Sequence, residues 1–481
     1  MKKRVILWFR RDLRLADNPA LHAALAGDFD SIVPVFIHAP DELGDEAPGG
    51  AQSVWQHFSL AALDASLQGL GSRLVIRHGP TIAALDTLIE ESGARAVYWN
   101  RLYDPHTIAR DRQVKRHLED RGLETASFKA LLLHEPWTVS TRQNTPYKVF
   151  TPFWKAIRDE PAGNPLPAPS RLPEVWSRLG SVALSELGLL PDIRWDERIR
   201  ETWTPGEDGA HARLEAFVSK TLPEYRDSRE RPARHGTSYL SAHLHFGEIG
   251  PRQVVHRVEE WLHEHGREAD RTHAETFLSE IGWREFAHHV LFHFPNTPSE
   301  PLDERFKHFP WANDDEALQA WQDGRTGIPM VDAGMRELWA TGYMHNRLRM
   351  TVASFLTKNL RIAWQHGERW FWDTLVDADL ANNTLGWQWA AGCGADAAPF
   401  FRIFNPARQG ERFDADGAYV RRWVPELAEL PNKHIHEPWA APERILDDAG
   451  VALGETYPKP IVDLKASRKE ALEAFDRIKN G

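Results

Sequence analysis

The chain holds one cysteine, Cys393, among 481 residues, so no intrachain disulfide can form and a disulfide scaffold is excluded. A reducing compartment, the cytoplasm, is the expectation. No Cys/His set has zinc-finger or zinc-ribbon spacing, which argues against a structural metal. No apolar run approaches the roughly 18 residues that cross a bilayer, so no membrane association is expected. Positive charge is also scarce: 58 Lys and Arg face 69 Asp and Glu, a formal net charge of -11. General attraction to a polyanion is therefore unavailable, and any nucleic-acid site must be a local patch. The basic start Met1-Lys2-Lys3-Arg4 leads into a short apolar stretch that ends at Arg10-Arg11. That stretch is too short for the apolar core of a signal peptide, so no targeting segment is expected.

Tryptophan, by contrast, is abundant, with twenty in the chain. Leu, Ile and Val fill a core without an indole N–H that needs a partner. Ten of the twenty fall between Trp261 and Trp389, and packing alone does not account for that concentration.

The first part of the chain alternates short apolar runs with helical patterns. Val5–Phe9, Ile32–Ile37, Leu74–Ile76 and Ala96–Trp99 read as strands buried on both faces. Ser53–Gln68, Thr81–Glu91 and Thr107–Glu119 read as helices between them, with Thr81 as an N-cap. The alternation predicts an α/β domain over residues 1–135 with a parallel, Rossmann-like sheet. No G-x-G-x-x-G follows the first strand, so the ordinary dinucleotide fingerprint is missing. Residues 136–209, rich in Pro and Gly from Pro161 onward, read as a linker running over the surface. The strand pattern then stops, and 210–481 reads as an all-α domain. Its predicted helices cover Phe246–Glu264, Ala274–Phe294, Asp315–Asp323, Val331–Gly342, Met344–Gln365 and Glu368–Leu375.

Several segments could carry chemistry. Gly236-Thr237-Ser238-Tyr239-Leu240-Ser241 offers hydroxyls and backbone N–H groups ahead of a helix. Such a loop can cradle a phosphate or serve as a plain cap. Arg226, Arg229, Arg231, Arg234 and His235 make the densest basic cluster, a phosphate patch or a solvated loop. Asp377-Ala378-Asp379-Leu380-Ala381-Asn382-Asn383 could cap a helix, hold a cation, or hydrogen-bond the edge of a heteroaromatic ring. Trp387 and Trp389 follow at once and favour the ring. Glu280, Trp283 and Arg284 share a helix face, an acid, a stacking plane and a guanidinium that together suit a nucleobase. Asn346, Arg347, Arg349 and Met350 repeat that kind of spacing. His289 and His293 lie one turn apart but lack the acid of a zinc-protease motif, so no metal site is expected.

Taken in order along the chain, these motifs resemble the photolyase/cryptochrome family, and within it the microbial cyclobutane pyrimidine dimer photolyases. The similarity runs from the strand and loop at Val5–Arg14 to Phe401-Arg402-Ile403-Phe404-Asn405-Pro406. It implies an N-terminal antenna domain, a helical domain holding FAD, and repair of UV-damaged DNA by light-driven electron transfer to a flipped-out dimer. By the same resemblance, Tyr225, Thr237, Ser238, Leu240, Ser241, Phe277 and Arg284 bind FAD, as do Arg349, Asp377, Asp379 and Asn383 around its ring. Glu280, Trp283, Asn346, Met350 and Trp389 form the catalytic lesion pocket, and Arg229, Arg347, Arg402 and Gln409 contact the DNA strand. Trp387, Trp364 and Trp311 form an electron-transfer series. Phe277 departs from relatives that carry Trp there.

The resemblance also discriminates between subgroups. (6-4) photolyases carry histidines where Asn346 and Met350 stand, plant and many animal cryptochromes place Asp or Cys at Asn383, and the DASH group has Tyr at Trp389. An antenna chromophore is implied near Asn100 and Asp104, methenyltetrahydrofolate being the expectation and deazaflavin or none the alternatives. A monomer associated with the nucleoid is expected. The competing function is a cryptochrome-type signalling photoreceptor, against which the absence of a long polar tail after Asn405 argues.

Overall fold

The computed structural model describes residues 3–173, 179–397 and 401–479. Residues 174–178 of the expected linker lie outside them. Five parallel strands form one sheet: β1 (Arg4–Phe9), β2 (Ser31–His38), β3 (Val75–His78), β4 (Ala96–Asn100) and β5 (Glu124–Phe128), in the order β3-β2-β1-β4-β5. β1 lies between β2 and β4, with Val5 opposite both Ile32 and Ala96, and its apolar residues are buried on both faces. Four helices connect the strands: α1 (Pro19–Ala26), α2 (Gly50–Gly69), α3 (Thr81–Ser92) and α4 (Pro105–Asp120). α1 starts where Asn18 accepts the Leu21 N–H ahead of a proline at the first helical position. α1 and β5 escape the sequence pattern because α1 has eight residues and β5 is a partly exposed edge strand of sequence ETASF.

Two local expectations are corrected. Thr81 does not cap α3. Pro80 holds that position, and the Thr81 N–H and hydroxyl both go to the Glu42 carboxylate. Nor do residues 344–365 form one helix. Asn346–Ser354 is helical, Phe355–Asn359 winds as a π turn, Arg361 adopts φ 56°, and a second helix runs Trp364–Thr374. Between the two helices Ile362 bridges to Ala312, so the chain leaves the helical path to pair as an extended residue.

The compact units also divide the chain differently from the partition expected. One is Met1–Pro223 with Ser238–Pro295, the other Glu224–Thr237 with Asn296–Gly481. Polar bonds tie the helical stretch before residue 296 to the sheet domain of the first unit. The Glu207 carboxylate accepts the Leu15 and Ala16 N–H groups, Arg14 donates to the Gly247 carbonyl, and the Glu285 carboxylate accepts Leu133 and His134. The Trp55 indole N–H donates to Glu248, which also pairs with His243. Part of the expected linker is structured as well. The Phe150–Ile157 helix buries Phe150, Phe153 and Ile157. It packs on the Glu268–His293 helix, where a side chain at Gly282 would come within 2.7 Å of the Trp154 ring. The second unit is helical around one core that includes Trp321, Phe355, Trp364, Phe371 and Trp387.

Candidate functional site

In the first unit the Glu268–His293 helix carries Phe277, Glu280, Trp283 and Arg284. Trp283 is half-buried, with Phe150 stacked on it at 3.8 Å between ring centroids and 11° between planes. Phe150, which no motif marks, thus covers one face of the indole. Glu280 is also half-buried. Arg284, expected among the FAD-binding residues, is 8% exposed, and its guanidinium donates to the carbonyls of Leu131 (2.8 Å) and Leu244 (3.4 Å). Phe277 is buried against Phe217, with centroids 4.4 Å apart.

The 236–241 loop turns through Tyr239, a non-glycine residue at φ 55°. That conformation costs of order 1 kcal/mol, and the Tyr239 ring is held by Trp203 and Arg213. The turn leads into the helix Ser241–His245, whose cap residue Leu240 has no polar side chain to satisfy the first N–H groups. Ser238 Oγ lies 3.4 Å from the Leu240 nitrogen. In the second unit Thr237 Oγ1 is 3.4 Å from the Tyr343 hydroxyl, and Tyr225 is buried beneath the Arg229 guanidinium.

The second unit assembles most of the remaining candidates. Arg349 donates to both Asp377 oxygens (3.0 and 2.8 Å) and to the Met344 carbonyl (2.7 Å). Burial works against its charge, but Asp377 and Tyr343 raise its pKa, so the cation is secure. Asp379 is the N-cap of the Leu380–Ala391 helix and accepts both the backbone N–H and the side-chain amide of Asn382. Asn383, one turn on, donates its amide to the Glu368 carbonyl (3.1 Å) and carboxylate (3.0 Å). Both partners are acceptors, so they fix the amide with Oδ1 as its remaining polar atom. Glu368 lies fifteen residues earlier in no recognisable motif; only the fold reveals it.

Asn346 and Met350 stand one turn apart on the Asn346–Ser354 helix, with Asn346 Nδ2 3.9 Å from Met350 Sδ. Asn346 is exposed and Met350 half-buried. His345 caps this helix by accepting the Arg347 N–H (3.1 Å), and burial beside Arg347 lowers its pKa to about 4, leaving a neutral acceptor. Trp389 is half-buried and stacks on Phe404. Trp387 is 2% exposed, edge-on to Phe371 (4.9 Å) and Trp321 (6.0 Å), with no partner for its indole N–H among the described residues. Trp364 is buried at the first turn of its helix, and Trp311 is half-buried against Phe309. Arg402 is exposed, and Gln409 Oε1 is buried without a partner.

At the strand ends of the first unit, Asn100 is fully engaged. It donates to Asp12 and Asn18 and accepts from Ala20. Asp104 pairs with Arg11 through one oxygen, and its buried Oδ1 has no partner among the described residues. His289 and His293 are also occupied, with Tyr147 N–H and the Pro136 carbonyl, and no group suited to a metal occurs among the described residues.

Each unit offers donors of its own, the first suited to phosphates and the second to the edge of a polar heteroaromatic ring. Hydroxyls and uncapped helix N–H groups suit phosphate oxygens, and an Arg–Asp pair with a buried carboxylate, beside one oriented amide oxygen, suits a ring edge. Comparison with known families agrees. The model for DNA photolyase matches residues 5–170, and that for the FAD binding domain of DNA photolyase matches 277–477. The deoxyribodipyrimidine photo-lyase of Agrobacterium fabrum is 49% identical over 480 residues, covering 99% of this chain and 98% of the relative. Cryptochrome-2 of Arabidopsis thaliana is 41% identical, covering 100% of this chain and 80% of the relative. A bacterial class III photolyase structure from Agrobacterium tumefaciens superposes with a TM-score of 0.95 at 47% identity, covering 100% of this chain and 98% of that one. No helix among the described residues is long and apolar enough to cross a membrane.

Proposed function

The chain belongs to the DNA photolyase family, and from that premise we propose that it repairs cyclobutane pyrimidine dimers in DNA with light. The observation that carries the choice of lesion is the exposed Asn346 amide beside the Met350 thioether. This pair can bind a dimer by hydrogen bonding and soft contact but has no proton to relay, as a (6-4) repair reaction needs. In the first unit the 238–241 loop, and in the second Tyr225, Thr237 and the Arg349–Asp377 pair, would supply the groups that hold FAD. When bound in its reduced form it supplies a photoexcited electron that opens the two cyclobutane C–C bonds and is then recovered.

The protein's own part is positioning and electrostatics. Trp283 and Trp389 stack on the flipped-out bases, and Glu280 hydrogen-bonds a pyrimidine carbonyl where negative charge develops. Phe150 pins the Trp283 plane from behind. Arg349, paired with Asp377, would supply a cation to the electron-rich ring, and Asn383, its amide committed to Glu368, would offer Oδ1 to a ring N–H. Asp379 acts through its cap, which sets the start of the helix that bears Asn383. Arg229, Arg347, Arg402 and Gln409 face the damaged strand. Trp387, Trp364 and Trp311 carry electrons inward when the cofactor is oxidised. Asp104, with its free oxygen, is the antenna contact, suited to the N–H groups of methenyltetrahydrofolate. Asn100, fully bonded within the protein, supports that site from behind. The protein acts as a monomer in the cytoplasm.

The test is repair of a dimer-containing oligonucleotide under light by wild type and by Glu280→Ala, with flavin content measured alongside. Repair by wild type and a reduced yield in a flavin-loaded variant are expected. Unchanged dimers with the wild type would refute the function. A signalling photoreceptor, the reading that Cryptochrome-2 suggests, would hold flavin but bind damaged and intact duplexes alike.

A further inference from the structure

Arg229 and Arg347 both meet one carboxylate. Glu230 Oε2 pairs with the Arg347 guanidinium, and Glu230 Oε1 lies 3.7 Å from Arg229 Nε. The Glu230 side chain is 34% exposed against 17% for Arg347, so the acid is the more exposed of the two. Arg347 is fixed on its other side as well, its Cζ lying 4.3 Å from the centre of the Phe413 ring, which Arg412 also approaches at 5.0 Å. With the guanidinium face on an aromatic ring, only its edge can take an anion. Glu230 sits on that edge, and Arg347 Nε stays buried with no hydrogen-bond partner among the described residues.

A carboxylate and a phosphate offer a guanidinium edge similar acceptor oxygens. We propose that Glu230 is a built-in competitor for the DNA backbone, holding Arg347 and Arg229 until a phosphate displaces it. The identity of that polyanion rests on the proposed function; the masked arginines do not. The masked pair contributes a local charge near +1 rather than +2, which weakens counterion release with any duplex. Glu230 is not among the residues proposed above to contact the lesion. Masking therefore lowers affinity for damaged and intact DNA by the same factor. Its benefit is a shorter stay on the intact duplex that surrounds a rare lesion.

The experiment measures binding of intact and dimer-containing duplexes by fluorescence anisotropy across a salt series. Wild type, Glu230→Gln, Glu230→Ala, Arg347→Ala and the Glu230→Gln/Arg347→Ala double variant are compared. Both Glu230 variants should tighten binding of both duplexes about 2- to 5-fold, the range of a partly exposed ion pair. The slope of log K against log salt should steepen by about 0.9, one added phosphate contact. The gain should vanish in the Arg347→Ala background. Weaker or unchanged binding of intact duplex by both Glu230 variants, or a gain that survives loss of Arg347, overturns the proposal. Light-driven repair by wild type is measured in parallel. Failure there counts against the function, whereas repair without tighter binding by the variants counts against the masking alone.

Discussion

Gly367 lies in the first turn of the Trp364–Thr374 helix, with the Trp387 indole against its backbone. A Cβ there would fall 2.5 Å from Trp387 Cζ3, closer still to Cη2, and 2.7 Å from Leu356 Cδ2. Gly367→Ala therefore sets two effects against each other. Alanine favours the helix by up to about 1 kcal/mol. Overpacking of a filled core costs about 1–3 kcal/mol, and here the upper part of that range applies. The indole has no free rotamer to retreat into, since it is 2% exposed and enclosed by Phe371 and Trp321. Leu356 stands in the π turn, already off the regular helical path. The net loss should be about 1–2 kcal/mol, at roughly 2–4 °C of melting temperature per kcal/mol for a unit of this size. Thermal unfolding reads the loss, and near-UV circular dichroism reads the displaced indole. Photoreduction of bound oxidised flavin should slow in the same variant, because Trp387 is the inner member of the proposed series. A variant as stable as wild type with an unchanged near-UV spectrum would refute the packing argument.

Three further outcomes follow from other contacts. Lys358 is 1% exposed, its ammonium over the Phe401 ring and 3.3 Å from the Arg402 carbonyl, and burial lowers its pKa to about 7 despite Cys393. The folded state thus binds fewer protons than the unfolded state between pH 7 and the ordinary lysine value of 10.5. Stability owed to this group rises with pH across that window, by at most about 1.4 kcal/mol per pH unit. Urea unfolding of wild type and Lys358→Met at pH 7, 8 and 9 should show the difference between them shifting in favour of wild type as pH rises, and a constant difference would contradict the assignment. Asp377→Asn leaves the Arg349 cation without its counter-charge. A loss of about 3 kcal/mol, the low end for a buried pair because Arg349 is partly exposed, should appear in unfolding together with weaker flavin retention. Trp311→Phe should slow photoreduction of oxidised flavin while sparing repair by pre-reduced protein, and equal photoreduction would remove Trp311 from the series.

Much of the candidate site was put forward from the sequence because its residues sit in short motifs whose spacing matches a helix or a turn. Glu280 with Trp283, Asn346 with Met350, and the 377–389 run each lie within a few turns of one helix, where 3.6 residues per turn settles which side chains are neighbours. Four strands were equally legible: β1, β2 and β4 are buried on both faces and leave continuous apolar runs, and β3 begins with the buried pair Val75 and Ile76. The edge strand β5 has no such run, and the break near Arg361 follows from a bridge to Ala312, far away in the chain.

The amino-acid order alone thus determined the α/β-then-helical succession, the residue types available for stacking and hydrogen bonding, and the requirement that any DNA contact be local. Tertiary structure decided how those groups are held. It turned Arg284 inward onto two carbonyls, oriented Asn383 through Glu368, backed Trp283 with Phe150, and set Glu230 against Arg347. Each of these pairs spans a sequence separation that no local periodicity encodes, so only packing and the need to satisfy buried polar groups could select them.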